Sequence, residues 1–115
     1  TFKNVGNDAL DLSGSEVDVQ YMKAQYVGDK GISAGEESNV NVSDIEVNFS
    51  KFGIASKDSS TVKIERAKLS FNELDYAAYN KKSEFGGGSI FVDKYSKSPL
   101  LILKDDISNV IVDEN

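Results

Sequence analysis

Charged residues recur in pairs along this chain, and their spacing could build a polar ligand site. Asp29 with Lys30, Lys57 with Asp58, Lys81 with Lys82, and Lys104 with Asp105 and Asp106 follow one another at intervals of roughly one common period. Stacked on successive turns of a coil, such pairs would lie about 5 Å apart. A ladder of this kind could hydrogen-bond sugar hydroxyls or a uronate, with Tyr76 or Tyr79 lending an apolar ring face. The candidate ligand-binding set is therefore Asp29, Lys30, Lys57, Asp58, Tyr79, Lys81 and Lys82. The competing reading is a row of surface ion pairs, each worth less than about 1 kcal/mol and serving solubility.

Other chemistry has fewer tools. The chain has no histidine and no cysteine, so the commonest general base, the commonest metal ligand and the thiolate nucleophile are all missing. A glycosidase needs two carboxylates on one groove, about 5 to 5.5 Å apart for retention or 6.5 to 9.5 Å for inversion. Asp11, Asp29 and Asp58 are the acids best placed to try. With nineteen Asp and Glu in 115 residues, some pair at that distance is expected by accident, so no catalytic residue is assigned and the chain reads as non-enzymatic. Asn4, Asn7, Asp8 and Asp11 supply hard oxygen ligands suited to calcium, but neither an EF-hand loop nor a glycine-aspartate nonapeptide repeat is present. Asn7 and Asp8 read as a turn at the head of a coil, and no metal or cofactor is expected. The net charge of −6 disfavours nucleic acid and anionic membranes as partners. No apolar run approaches the roughly 18 residues of a membrane span.

The elements that would position these groups are written in a repeat. Ser15-Glu16-Val17-Asp18-Val19 returns as Ser38-Asn39-Val40-Asn41-Val42, Ser60-Thr61-Val62-Lys63-Ile64, Gly88-Ser89-Ile90-Phe91-Val92 and Ser108-Asn109-Val110-Ile111-Val112, at steps of 23, 22, 28 and 20 residues. Strict alternation puts the Val and Ile positions on one strand face and the intervening residues on the other. A second strand precedes each copy (Leu10 and Leu12, Ile32 and Ala34, Ile54 and Ser56), and a third follows (Met22 and Ala24, Ile45 and Val47, Ala67 and Leu69). Three short strands in about 22 residues exclude ankyrin-type and tetratricopeptide units, which need long helical stretches, and the leucine-rich framework is missing. A β-sandwich would not repeat whole contexts, and the single proline, Pro99, adds to the case.

The predicted fold is all-β: a right-handed parallel β-helix of about five coils, roughly 22 residues each, forming one domain over residues 1–115. Inward columns such as Val17, Val40, Val62, Ile90 and Val110 suit parallel strands buried on their inner face. The long step contains a Gly-rich insertion over residues 80–88, read as a loop protruding from one edge, where solenoids often bind. Ser15, Ser38, Ser60 and Ser108 read as turn-closing hydrogen-bond formers. A start at Thr1, and coils cut partway at both ends, suggest a fragment of a longer chain or a unit that stacks end to end, since open β-edges invite pairing.

Gly28-Asp29-Lys30-Gly31-Ile32-Ser33, Gly53-Ile54-Ala55-Ser56-Lys57-Asp58 and Ala78-Tyr79-Asn80-Lys81-Lys82 carry a resemblance across residues 4 to 93. The chain resembles the right-handed parallel β-helix repeats of the pectin-lyase-like superfamily, of the kind found in bacterial cell-surface proteins, some with spore-coat-kinase-like domains. That resemblance implies a bacterial surface or secreted setting outside the cytoplasm and polysaccharide as partner. It transfers no mechanism: lyases of the superfamily combine a calcium-binding acidic cluster with an arginine or lysine base, whereas the only arginine here, Arg66, sits between Glu65 and Lys68 on what reads as a solvated strand edge. The expected function is a scaffold or weak carbohydrate-binding module, with a degenerate polysaccharide lyase or hydrolase and an end-to-end assembly element as alternatives.

Overall fold

A computed structural model describes residues 1–95 and 101–114. The strands in chain order are β1 (Phe2–Val5), β2 (Leu10–Ser13), β3 (Glu16–Val27), β4 (Lys30–Gly35), β5 (Asn39–Asn48), β6 (Phe52–Lys57), β7 (Thr61–Ser70), β8 (Leu74–Tyr79), β9 (Ser89–Tyr95), β10 (Ile102–Lys104) and β11 (Asn109–Glu114). They alternate between two parallel sheets, one ordered β1-β3-β5-β7-β9-β11 and the other β10-β8-β6-β4-β2. This is a parallel β-solenoid of about five coils, as the repeat predicts.

Register follows the repeat residue for residue. Val17, Val40, Val62, Ile90 and Val110 pair in one column, and Leu10, Ile32, Ile54 and Tyr76 pair in another on the facing sheet. These columns are the core: Val40, Val62, Ile90, Ile32, Ile54 and Tyr76 are all fully buried. Burying a Val or Ile side chain contributes roughly 1.5–3 kcal/mol, and one coil buries several of them, Ile32, Val40, Val42, Ile45 and Val47 among them. Tyr76, considered from the sequence as an exposed ring face, is instead a core residue at 0 % exposure.

The strand count per coil differs from the prediction. Each coil has two strands, because the S-x-V-x-V strand and the one predicted to follow it run together as β3, β5 or β7, with pairs on both sides of a corner such as Val19↔Val42 and Tyr21↔Asp44. At the corner two neighbouring residues turn away from the core together: Gln20 and Tyr21, Ser43 and Asp44, Glu65 and Arg66. The inward phase then resumes at Met22, Ile45 and Ala67. Alternation therefore breaks while the hydrogen-bond ladder continues.

Serines and an asparagine tie the coils together. Ser38 Oγ donates to the Gly35 carbonyl at 2.7 Å and accepts the Ser15 N–H at 3.1 Å, and Ser60 Oγ accepts the Ser38 N–H at 3.0 Å. Buried Asn72 accepts both the N–H and the hydroxyl of Ser50, at 2.9 and 2.7 Å, and donates to the Val47 carbonyl at 3.0 Å. Close packing of coils fixes Gly31 and Gly53. A Cβ on Gly31 would lie 2.6 Å from the Gly53 carbonyl oxygen and 2.8 Å from the Val47 side chain, and one on Gly53 would lie 2.7 Å from the Asp75 carbonyl oxygen.

Candidate functional site

The charged pairs do not form the single ladder expected from their spacing. Asp29 and Lys30 lie where the chain enters β4, since Lys30 pairs with Phe52 at the start of β6. Lys57 closes β6 and pairs with Tyr79, and Asp58 follows it into the next corner. The two pairs thus occupy opposite ends of the short sheet. The spacing misled because Asp29–Lys57 is a step of 28 residues in sequence but belongs to coils that repeat every 22 or 23.

Tyr79 partly reunites them. Burial raises its phenol above the ordinary tyrosine range, with smaller electrostatic contributions from Lys30, Asp29, Asp58 and Asp8. Burial alone would lower Lys30. A hydrogen bond to Asp29 at 2.9 Å and the charges of Asp8, Tyr79 and Asp29 outweigh that and hold the ammonium above the ordinary lysine range. Lys30 is thus a fixed cation, unsuited to act as a base. Asp8 also accepts the Lys30 N–H at 3.0 Å, a bond between neighbouring coils rather than the local turn expected of Asn7 and Asp8.

Asp58 is a structural anchor. It is 0 % exposed, and Oδ1 accepts the backbone N–H groups of Lys81 and Lys82 at 2.7 and 2.8 Å, seating the insertion that leaves β8. Asn80 Nδ2 lies among the carbonyls of Lys82, Phe85 and Gly86 at 2.9, 2.9 and 3.0 Å, closing the loop on itself. Ser59 Oγ accepts the Gly86 N–H at 2.6 Å. Lys82 binds Glu36, and this bond holds the Glu36 carboxyl below and the Lys82 ammonium above their ordinary ranges. Lys81 is exposed. The loop is therefore stapled to the solenoid, and Asp58 is withdrawn from any ligand.

Two surface features lay outside the candidate set. One is a groove of about 370 Å³ on the long sheet. One wall is the outward column Asp18, Asn41, Lys63 and Phe91, which the strand register aligns. The other is the corner column Gln20, Ser43, Glu65 and Asp93. Asn41 Nδ2 donates to Asp18 Oδ1 at 3.1 Å. The signal was present in the repeat, as the intervening residues of S-x-V-x-V, but polar residues alternating with valine look the same on any solvated strand.

The other feature is an aromatic ladder at the end of the long strands. Tyr26 stacks on Phe49 at 4.8 Å between ring centroids, and Phe49 on Phe71 at 4.9 Å. With Asn4 they form a column at φ +54° to +59°, a left-handed conformation unusual for bulky residues. Phe71 is 73 % exposed. Its companions are also exposed. Phe49 stacks between the other two rings and is the least exposed of the three.

Among the described residues, no three His, Cys, Asp or Glu side chains gather to hold a metal ion. No family model, curated protein or solved structure matches the chain.

Proposed function

We propose that this chain is a non-enzymatic β-solenoid module that binds an extended carbohydrate weakly in the groove of its long sheet. The observation that carries the reading is the groove itself. It is open, crosses four strands, and mixes hydrogen-bonding side chains with the ring of Phe91, the combination that suits a ligand with hydroxyl edges and an apolar face. Three strand-to-strand steps give it a length of about 14 Å, enough for a short run of a linear polymer.

Three carboxylates outside the groove are unsuited to general-acid work. Glu36, Asp44 and Asp105 are all held below their ordinary ranges, chiefly by side-chain hydrogen bonds from Lys82, Arg66 and Ser108 respectively. A general acid needs the opposite shift. A surface or secreted bacterial setting and kinship with the pectin-lyase-like superfamily fit a solenoid of this kind and complete the proposal.

The test is a glycan array with the wild-type chain, an Asn41→Ala/Lys63→Ala/Phe91→Ala variant and a Tyr79→Ala/Lys81→Ala variant. Binding lost only in the first places the ligand in the groove. Binding lost only in the second moves the site to the short sheet, and no binding by the wild type refutes the reading.

A second reading, assembly by end-to-end stacking, rests on Ile102, Leu103, Ile107 and Ile111, exposed by 39 to 60 % on the last described coil. Ile102 continues the inward column of Tyr76 and Ile111 the outward column of Phe91, so these residues mark an exposed rung rather than one face, and that rung would also accept a further coil of chain. Sedimentation across a concentration range tests it: a species that stays monomeric removes stacking.

A further inference from the structure

We infer that the groove selects a cationic glycan, an amino-sugar polymer bearing free ammonium groups, over neutral polymers and uronates. The inference rests on the carbohydrate reading above and specifies its ligand.

The groove is acidic. Asp18, Glu65 and Asp93 face it against one cation, Lys63. Its neighbours on the same sheet are arranged differently. Asp44 receives a two-pronged bond from Arg66, at 2.6 Å from Nε and 3.0 Å from Nη2. Glu46 is shared between Lys23 at 3.2 Å and Lys68 at 3.6 Å. In the next two outward columns, then, cross-strand partners neutralise the carboxylates. Among the described residues no ion pair reaches Asp18, Glu65 or Asp93.

The parallel register also fixes where this charge lies. Asp18 is on the first rung of the groove, Glu65 on the third and Asp93 on the fourth. Carboxylates therefore recur along about 14 Å of a direction that a linear polymer would follow. A uronate would meet three like charges there, and a neutral sugar would meet hydrogen-bonding groups alone. An ammonium-bearing sugar would meet both, with Phe91 available to its apolar face. The uronate suggested by the lysines of the short sheet is disfavoured in this groove.

The experiment is titration calorimetry of the whole chain with glucosamine oligomers, the corresponding N-acetylated oligomers and galacturonate oligomers of matched length, in mildly acidic buffer at low and high salt. Two variants accompany the wild type. Glu65→Gln/Asp93→Asn removes groove charge, and Asp11→Asn/Glu73→Gln removes the same charge elsewhere. Circular dichroism confirms that each is folded.

The expected result is at least tenfold tighter binding of the ammonium form than of the acetylated form. That preference should fall about tenfold in the groove variant, persist in the control variant and shrink with salt, as exposed charge pairs do. Equal binding of charged and acetylated oligomers would overturn the charge selectivity while leaving the carbohydrate reading intact. Tighter binding of galacturonate would do the same. Oligolysine bound as tightly as oligoglucosamine would show a general cation-binding strip and overturn the glycan assignment. Failure of all three sugars to bind would remove both readings.

Discussion

Replacing Phe49 by alanine and by glycine should invert the usual order of stability. In a strand interior glycine is ordinarily the worse of the two by about 0.5–1 kcal/mol, because it loses more backbone freedom on folding. Phe49 has φ +59°, and its backbone is held there by bonds to both neighbouring coils, from the Val27 N–H at 3.1 Å and to the Ser70 carbonyl at 3.1 Å. A residue with a Cβ pays about 1–2 kcal/mol for that conformation and glycine almost nothing. Subtracting the entropic penalty leaves the glycine variant ahead by roughly 0.5–1 kcal/mol. Both variants should be less stable than wild type. Phe49 is 42 % exposed, so the half it buries, about 100 Å², is worth roughly 2.5 kcal/mol, and its two ring contacts add about 1 kcal/mol each. The alanine variant should therefore lose about 4.5 kcal/mol, and the glycine variant, with strain relief partly offset by its entropic penalty, about 3.5–4 kcal/mol. Chemical denaturation of the three proteins measures all of these differences. An alanine variant as stable as the glycine variant, or more so, would refute the assignment of a strained corner.

At the end of the same ladder, Phe71→Asn should cost no more than about 1 kcal/mol, because one stack and little burial are offset by strain relief; thermal denaturation beside Phe49→Asn should show the middle ring mattering most. Asp58→Ala should free the insertion, costing about 2–3 kcal/mol for the two N–H groups left without a charged acceptor and making residues 81–87 a preferred cleavage site in limited proteolysis; protection equal to wild type would contradict the anchor role. Gly53→Ala should cost about 3 kcal/mol or prevent folding, since the added methyl meets the Asp75 carbonyl oxygen, and a soluble variant of wild-type stability would count against the coil spacing described. Asp105, hydrogen-bonded by Ser108 Oγ at 2.5 Å and by the Asn80 N–H at 2.7 Å, is held below the ordinary aspartate range in the folded chain. Its stabilising effect is therefore present above that range and is lost as pH falls through the lowered folded value. In Ser108→Ala, carboxyl titration by NMR should find Asp105 shifted upward and the acid loss of stability moved to higher pH.

The fold was legible because its core is one-dimensional. A column of identical inward positions must repeat at the coil length, and alternation marks which residues enter it, so Val17, Val40 and Val62 announced both strand and stacking. Strand boundaries were less legible. Gln20–Tyr21 and its equivalents break the alternation, whereas the backbone ladder depends on dihedral angles that side-chain polarity does not record. The site was harder. Asp58 read as a surface charge because nothing local marks a buried aspartate; the clue lay one coil on, in the backbone N–H groups of an insertion that needed an acceptor. Tyr26, Phe49 and Phe71 repeat at steps of 23 and 22, yet each follows a polar residue just past the last inward position of its strand, where alternation carries no signal.

The insertion between β8 and β9 leaves the next coil in register: Thr61 pairs with Ser89 and Val62 with Ile90, as if the extra residues were absent. The corner is thus a splice point, where chain length and solenoid geometry are decoupled. Other segments could be grafted there in place of residues 81–86, provided Asn80 and Asp58 remain to clamp the first turn and Gly87 stays glycine, since a Cβ there would lie 2.2 Å from the Ile107 carbonyl oxygen. The molecule would then serve as a rigid display frame, holding a foreign peptide at a fixed height along its axis.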